Sequence, residues 1–315
     1  SNQTICCDSV SINLFKLITC ALAGNPERTT ILSTTNNFPT DLYVAEGIQR
    51  LLGENRCRLQ LVENHELNSA LKQKPGVLLL TQTDYRTGEI FDIEKLTSQA
   101  HANGTPVIWD LSHSVGVLPL EMDKWNVDFA VGCTYKYLNG GPGAPAFLYV
   151  AHNQQENCFQ PLSGWMGHRA PFDFFSTYTA CNGINKFLSG TPPILSMSVL
   201  DAALAVYEKI DIHQLRKKSI QLTELFMSLL GETGTLRQLQ LRSPVSAKIR
   251  GSQLAFAHQN SFGICQALAA KQVIADFRSP DLLRFGFSPL TLRYEDIWLA
   301  VEALQEVMAE EQYLL

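Results

Sequence analysis

The sequence predicts an α/β protein: a mostly parallel, open sheet covered by helices, followed by a smaller C-terminal α+β domain. Three observations predict it. Short β-rich runs alternate with helix-like stretches from about residue 11 to residue 150, the pattern of repeated βαβ units. Runs such as Val77-Leu78-Leu79-Leu80 are continuously apolar, as strands covered on both faces are. Beyond residue 150 the texture changes, first to an irregular stretch and then to helices and strands in a different order. A length of 315 residues accommodates two domains, expected at 1–205 and 206–315.

Taken in order, a helix starts near Ile12, just behind Ser9 and Ser11. Strands are expected at 30–33, 58–62, 76–80, 106–109, 127–133 and 146–150. Between them, residues 41–52 carry apolar side chains at helical spacing (Leu42, Val44, Ala45, Ile48, Leu51, Leu52) and stop at Gly53. Residues 92–102 open on an Asp cap and end at Asn103-Gly104. Residues 154–191 are rich in aromatics, Gly and Pro and show no period; so long an irregular segment in a compact domain is functional or misread. Helices follow at 194–209 and 213–230, a strand at 252–257, a helix at 263–271, strand-like runs at 273–277 and 283–287, and a last helix from Tyr294.

Composition narrows the function. Hydrophobic residues at 45% and charged residues at 17% describe a folded chain. A net charge of −5 without a long Lys/Arg block argues against nucleic acid or an anionic membrane as partner. No apolar run reaches the roughly 18–20 residues that span a bilayer, and the first ten residues lack the features of a signal peptide. The eight cysteines are scattered, with no C-x-x-C and no clustered His. A disulfide framework and a structural zinc site are both unexpected; reduced, mostly buried thiols in a cytoplasmic protein are the expectation.

In open α/β sheets ligands sit at the carboxyl ends of strands. Asp110 closes the 106–109 strand, and Lys136 follows the next one. An acid and an amine so placed suit pyridoxal phosphate, which needs a Lys for its aldehyde and an Asp for its pyridine nitrogen. A surface salt bridge at a solvated strand end is the competing reading. His113 and Tyr135 flank the pair, as a stacking ring and as a phosphate contact or acid, or else as ordinary core groups. Phe38 and Asp41 open a helix after another strand, where Phe38 stacks on a ring or in the core and Asp41 caps the helix or meets the cofactor. Asn139-Gly140-Gly141-Pro142-Gly143 lacks phosphate-loop spacing and precedes a strand, so it reads as a tight turn beside the site. Ser9 and Ser11 are the better phosphate candidates, at a helix N-terminus. Arg284, on a strand among apolar neighbours, wants a carboxylate, from substrate or from the protein. Trp165 sits on a glycine-flanked loop, as a ligand contact or a packed anchor.

Together these segments resemble the kynureninases, members of the aspartate aminotransferase-like (fold type I) pyridoxal phosphate enzymes. The resemblance runs in order through DSVSINLFK at 8–16, FPTD at 38–41, WDLSH at 109–113, TYKYLN at 134–139, SGWMGH at 163–168, GTPP at 190–193 and LRFGFSPL at 283–290. It implies pyridoxal 5'-phosphate on Lys136, its pyridine nitrogen paired with Asp110, His113 beside them, Phe38 on the ring and Asp41 near it. It implies Val10, Ser11 and Tyr135 at the phosphate end, and Thr81 as a further cofactor contact. Trp165 and Thr191 match positions that approach the phosphate from the partner subunit of a homodimer whose active site lies at the subunit interface. Arg284 matches the residue that binds the substrate carboxylate. The implied reaction is hydrolytic cleavage of L-kynurenine to anthranilate and L-alanine, with Lys136 and Tyr135 catalytic, and Gly190-Thr191 is similar to bacterial members that prefer L-kynurenine over its 3-hydroxy form. Family members carry a further segment ahead of the first motif, so an incomplete small domain is also expected. Two other readings stand: a different fold type I activity, such as a cysteine desulfurase with Cys158 or Cys181 as nucleophile, and a silent cofactor-binding remnant.

Overall fold

The fold is described from a computed structural model covering residues 2–314. The chain groups into two units. The first comprises residues up to 82, 91–115 and 120–208; the second comprises 83–90, 116–119 and 209–315.

In the first unit the elements run β1 (Thr4–Cys6), α1 (Val10–Gly24), β2 (Thr30–Thr34), α2 (Pro39–Leu52), β3 (Arg58–Val62), α3 (Leu67–Leu71), β4 (Val77–Thr81), α4 (Ile93–Ala102), β5 (Val107–Asp110), β6 (Phe129–Cys133), β7 (Ala146–Val150), α5 (His152–Gln155) and α6 (Ile194–Tyr207). One seven-stranded sheet has the order β1-β7-β6-β5-β4-β2-β3. Neighbours from β3 across to β6 are parallel; β7 runs antiparallel to β6, and β1 antiparallel to β7. The continuously apolar runs have the expected physical cause. Every residue of β4, β5, β6 and β7 is buried. Val77 and Leu79 face a core built with Leu14, Leu17 and Ile18 of α1. Leu78 and Leu80 face the opposite core, with Ile93, Ala100 and Trp109, whose indole N–H donates to Thr97 at 3.1 Å.

Strand bounds shift by one or two residues from expectation. The β6 strand starts at Phe129 because Asn126 takes a left-handed φ of 51° and Asp128 turns its carboxylate back onto the Val107 amide (2.9 Å) and His101 (2.7 Å). One expectation is overturned. Cys20 on α1 and Cys158 in the irregular stretch are joined as a disulfide with Cα atoms 5.4 Å apart. Scattered spacing hid the pair, because the fold brings together positions 138 residues apart. Six cysteines remain free among the described residues.

The second unit is an α+β body. It holds α7 (Ile212–Glu232), β8 (Gln240–Leu241), β9 (Gln253–Ala257), α8 (Ser261–Ala270), β10 (Asp276–Arg278), β11 (Leu282–Gly286) and α9 (Tyr294–Ala309). Its antiparallel sheet has the order β10-β11-β9-β8. Phe226 of α7 lies among Phe256, Phe285 and Phe287, with ring centroids 4.8–6.3 Å away, and Ile297, Val301 and Leu304 of α9 close the core. No helix among the described residues is long and apolar enough to cross a membrane.

Candidate active site

β2 has β3 on one side and β4 on the other. The strand order reverses there, and a reversal is where an open α/β sheet offers a crevice at its carboxyl ends. The loops that follow β2, β5 and β6 bring the candidate residues to that edge.

Asp110 is the last residue of β5 and is 2% exposed. Its Oδ1 accepts from the Ser112 amide at 2.7 Å, and Ser112 Oγ accepts from the Cys133 amide at 3.1 Å. The ends of β5 and β6 are thereby knitted together. Lys136 follows β6, with Nζ 3.2 and 3.5 Å from the two ring nitrogens of His113 and 5.8 Å from the Tyr135 ring centroid. The next turn folds back, Gly140 N–H donating to the Thr134 carbonyl at 2.9 Å. Gly141 and Gly143 take φ of 77° and 79°, which a Cβ would disfavour.

On the facing side, Pro39 opens α2 and Phe38 is its N-cap residue. Asp41 lies in the first turn and is fully buried. The sequence left it as a helix cap or a cofactor contact; it does not cap. Thr81, at the end of β4, donates its hydroxyl to Asp41 Oδ2 at 3.3 Å and its amide to Asn37 at 2.7 Å. Asp41 Oδ1 meets no such donor.

Asp41 and Asp110 act on each other, carboxyl to carboxyl. Burial, then the Asp110 charge, holds Asp41 well above the ordinary carboxylate range. Burial also raises Asp110, but the Ser112 bonds, the Lys136 charge and the bond from Asp41 all work against it. Both carboxyls are thus raised, and the balance of causes favours a proton on Asp41 over one on Asp110. Burial, then the neighbouring Cys133 thiol, pushes Tyr135 up to about 12, so its phenol is a donor at neutral pH.

These groups share one cavity of about 310 Å³. Of the residues singled out in the sequence, Val10, Ser11, Phe38, Asp41, Asp110, His113, Tyr135 and Lys136 line it, and so does Ser9. Thr81 stands behind Asp41 rather than in the lining. Thr40, Ser112, Cys133, Ala144 and Ala146 also line it. Ser112 was within reach of the sequence, lying inside WDLSH; the alanines carry no chemical signal. Trp165 and Thr191 are absent from this lining. Trp165 stacks on Phe174 (6.1 Å) with Phe172 edge-on (5.5 Å), and Thr191 is exposed. Arg284 belongs to the second unit, where its guanidinium donates to Asp276 at 2.7 Å and to the Tyr85 carbonyl. The cysteines a desulfurase would call on are poorly suited: Cys158 is in the disulfide, and burial raises the Cys181 thiol.

Known proteins resemble this chain in sequence and in fold. A family model described as the kynureninase C-terminal domain matches residues 215–304. The chain is 43% identical to a kynureninase of Deinococcus radiodurans over 303 residues, covering 96% of this chain and 73% of that protein. It is 42% identical to a kynureninase of Burkholderia mallei, covering 97% and 74%. Among solved structures it superposes on an apo cysteine desulfurase of Thermococcus onnurineus with a TM-score of 0.81 at 18% identity, covering 100% of this chain and 80% of that one. It superposes on a C-DES mutant with glycine linked to its pyridoxal phosphate cofactor with a TM-score of 0.79 at 17% identity, covering 97% and 81%. At such identities the structural likeness shows the aspartate aminotransferase-like, fold type I architecture and no more. The sequence likeness goes further: the chain belongs to the kynureninase family.

Proposed function

We propose that this chain catalyses the hydrolytic β,γ carbon–carbon cleavage of L-kynurenine to anthranilate and L-alanine, with pyridoxal 5'-phosphate in the cavity beside Lys136. The observation that carries this reading is the meeting, in one cavity, of a primary amine, a buried carboxylate on the adjacent strand and the N-terminus of α1.

The residues present fit the cofactor. The amine of Lys136 suits its aldehyde, and Asp110 suits its pyridine nitrogen. Phe38 and His113 offer ring faces, and Asp41 Oδ1 is a buried polar atom short of a donor. Val10 and Ser11 bring helix N–H groups and a hydroxyl to the phosphate end, with Tyr135. Bound there, the cofactor supplies an electron sink for bond breaking on the substrate. The protein's own groups do the rest. Asp110, ionised because Asp41 holds the shared proton, keeps a proton on the ring nitrogen. Lys136 Nζ takes the proton from the substrate α-carbon. Tyr135, protonated at neutral pH, serves as the acid toward the substrate. Arg284 is assigned to the substrate carboxylate on the LRFGFSPL resemblance.

A homodimer completes the reading. α6 leaves Ile194, Leu195, Val199 and Val206 exposed and buries only Leu200 fully, and Phe172, Phe174 and Phe175 are exposed nearby in sequence. Apolar surface of that kind marks an interface. Trp165 and Thr191, which do not line the cavity of their own chain, would then serve the partner's. We also propose a cytoplasmic location, with which the six free cysteines among the described residues accord and the Cys20–Cys158 disulfide does not.

The test is anthranilate release, followed by fluorescence, from the purified chain with pyridoxal phosphate and L-kynurenine. A chain that turns yellow with the cofactor yet releases no anthranilate overturns the assigned reaction. Sulfide release from cysteine in its place assigns the desulfurase activity instead.

A further inference from the structure

We propose that Lys16 is a positioning residue for the phosphate end of the cofactor, acting through Asp8 on the N-terminus of α1. The proposal rests on the cofactor reading above and adds a residue to it that makes no contact with the cavity.

Lys16 lies in the middle of α1 and is fully buried. Its neighbours on that helix, Leu14, Leu17 and Ile18, are core residues, and the position would accept an aliphatic side chain. A buried ammonium is costly unless it is paired and hydrogen-bonded, so its partners reveal what it does. Lys16 Nζ is 2.6 Å from Asp8 Oδ2 and 2.5 Å from the Phe187 carbonyl.

Asp8 is where β1 turns into α1. Its φ of 48° lies in the left-handed region, which a non-glycine residue keeps only where surrounding contacts hold it. Those contacts converge on two residues. The Asp8 carbonyl accepts from the Ala146 amide and the Cys7 amide donates to the Ala146 carbonyl, both at 2.9 Å. Asn13 Nδ2 donates to the Cys7 carbonyl at 2.8 Å. Lys16 supplies the grip on the Asp8 carboxylate. With the turn pinned, Ser9 caps the helix through the Ile12 amide at 3.4 Å, and Val10 and Ser11 face the cavity. The first-turn amides of a helix have no intrahelical acceptor, and they serve an anion only while that turn is held in place. The same ammonium holds the Phe187 carbonyl, four residues ahead of Thr191. One buried charge thus fastens the start of α1 and the end of the irregular stretch together.

The experiment compares two probes on the full chain: pyridoxal phosphate, and pyridoxal, which lacks the phosphate. Lys16→Met removes the charge at similar volume, and Asp8→Ala removes its partner. Dissociation constants are read from the visible absorbance on titration. Both variants are expected to weaken pyridoxal phosphate about tenfold or more, the loss of about one charge-assisted hydrogen bond, while pyridoxal binding stays within about twofold. Inorganic phosphate competes less well in the variants than in the parent. Asp8→Asn, which keeps an oxygen for Lys16, loses less than Asp8→Ala. Equal weakening of both probes, or no weakening of either, overturns the proposal. Should Lys16→Met fail to fold, Asp8→Ala at a partly exposed carboxylate carries the same comparison. A parent chain that binds neither probe refutes the cofactor reading itself, and this one with it.

Discussion

Replacing Asp41 by Asn removes one of two carboxyls confined to the same buried site, and the consequence is read in how stability depends on pH. Asp41 is 0% exposed and Asp110 2%. In the unfolded chain Asp41 titrates near its ordinary value of 3.8; in the fold, burial and the Asp110 charge hold it well above that. Within the interval between the two values the native chain retains a proton that the unfolded chain has lost. Stability therefore falls as pH rises through that interval, by about 1.4 kcal/mol per pH unit for one proton. Below 3.8 both states are protonated and the difference vanishes; above the folded value the whole penalty persists. In the Asp41→Asn variant the side-chain amide can donate an N–H to Asp110 where the protonated acid donated its O–H, and it does not titrate. Its contribution to the slope is lost, while that of Asp110, also raised, remains.

The assay is urea unfolding of the cofactor-free chain at successive pH values, parent and Asp41→Asn side by side, with the denaturant slope checked for constancy. The expected outcome is a shallower decline for the variant, the two curves separating by up to about 1.4 kcal/mol over each pH unit inside the interval. Parallel curves would mean that Asp41 is ionised in the fold and that the shared proton does not exist. A variant whose slope is the steeper would mean that Asp41 is held below its ordinary value in the fold, and the protonated Asp41 would lose its basis.

Four further outcomes are expected. Lys136→Ala loses the visible absorbance that pyridoxal phosphate gives the parent, checked by spectral titration; retained absorbance would place the cofactor elsewhere. Arg284→Gln lowers kcat/KM for L-kynurenine roughly 10- to 150-fold, the scale of about 1.5–3 kcal/mol for bonds to a charged group, and does so mainly through KM. Gly132→Ala would put a Cβ 2.5 Å and 2.7 Å from ring carbons of Phe147, and a thermal melt should register an overpacking cost of about 1–3 kcal/mol. Cys20→Ser opens a loop of 138 residues and should cost up to about 5 kcal/mol without reductant and little with it, as measured by paired urea titrations.

What the sequence made legible follows from which forces are local. The strands β4 and β5 could be read from their residues because both faces are covered, and that demand is written position by position in Leu78-Leu79-Leu80 and Ile108-Trp109. Asp110 and Lys136 could be read for a similar reason: each sits at the end of a strand whose run is unmistakable. β1 could not, since Thr4-Ile5-Cys6 is too short to carry a pattern and becomes a strand only through its pairing with β7. The Cys20–Cys158 link escaped because spacing does not encode proximity. Thr191 stood out through motif resemblance alone and Trp165 through that and its flanking glycines, for the irregular stretch that holds them has no period to read.

The buried charges show the same division more sharply. In sequence, Asp41 near a helix start is a cap or a cofactor contact, and Lys16 inside an apolar helix carries no signal. The fold defines both, because each answers to a residue brought to it: Asp41 to Asp110 across the crevice, Lys16 to Asp8 across the β1–α1 turn. In both cases the paired group stands at the edge of the candidate site rather than being a reacting group itself. The Asp41 proton sets the charge on Asp110, and the Lys16 charge sets the place of Val10 and Ser11. Residues that react can be recognised by type and strand position, whereas residues that prepare them are defined by burial and by a distant partner. That is why the amine and the acid of this site could be named from the sequence, while the proton that keeps the acid ionised emerges only from the fold.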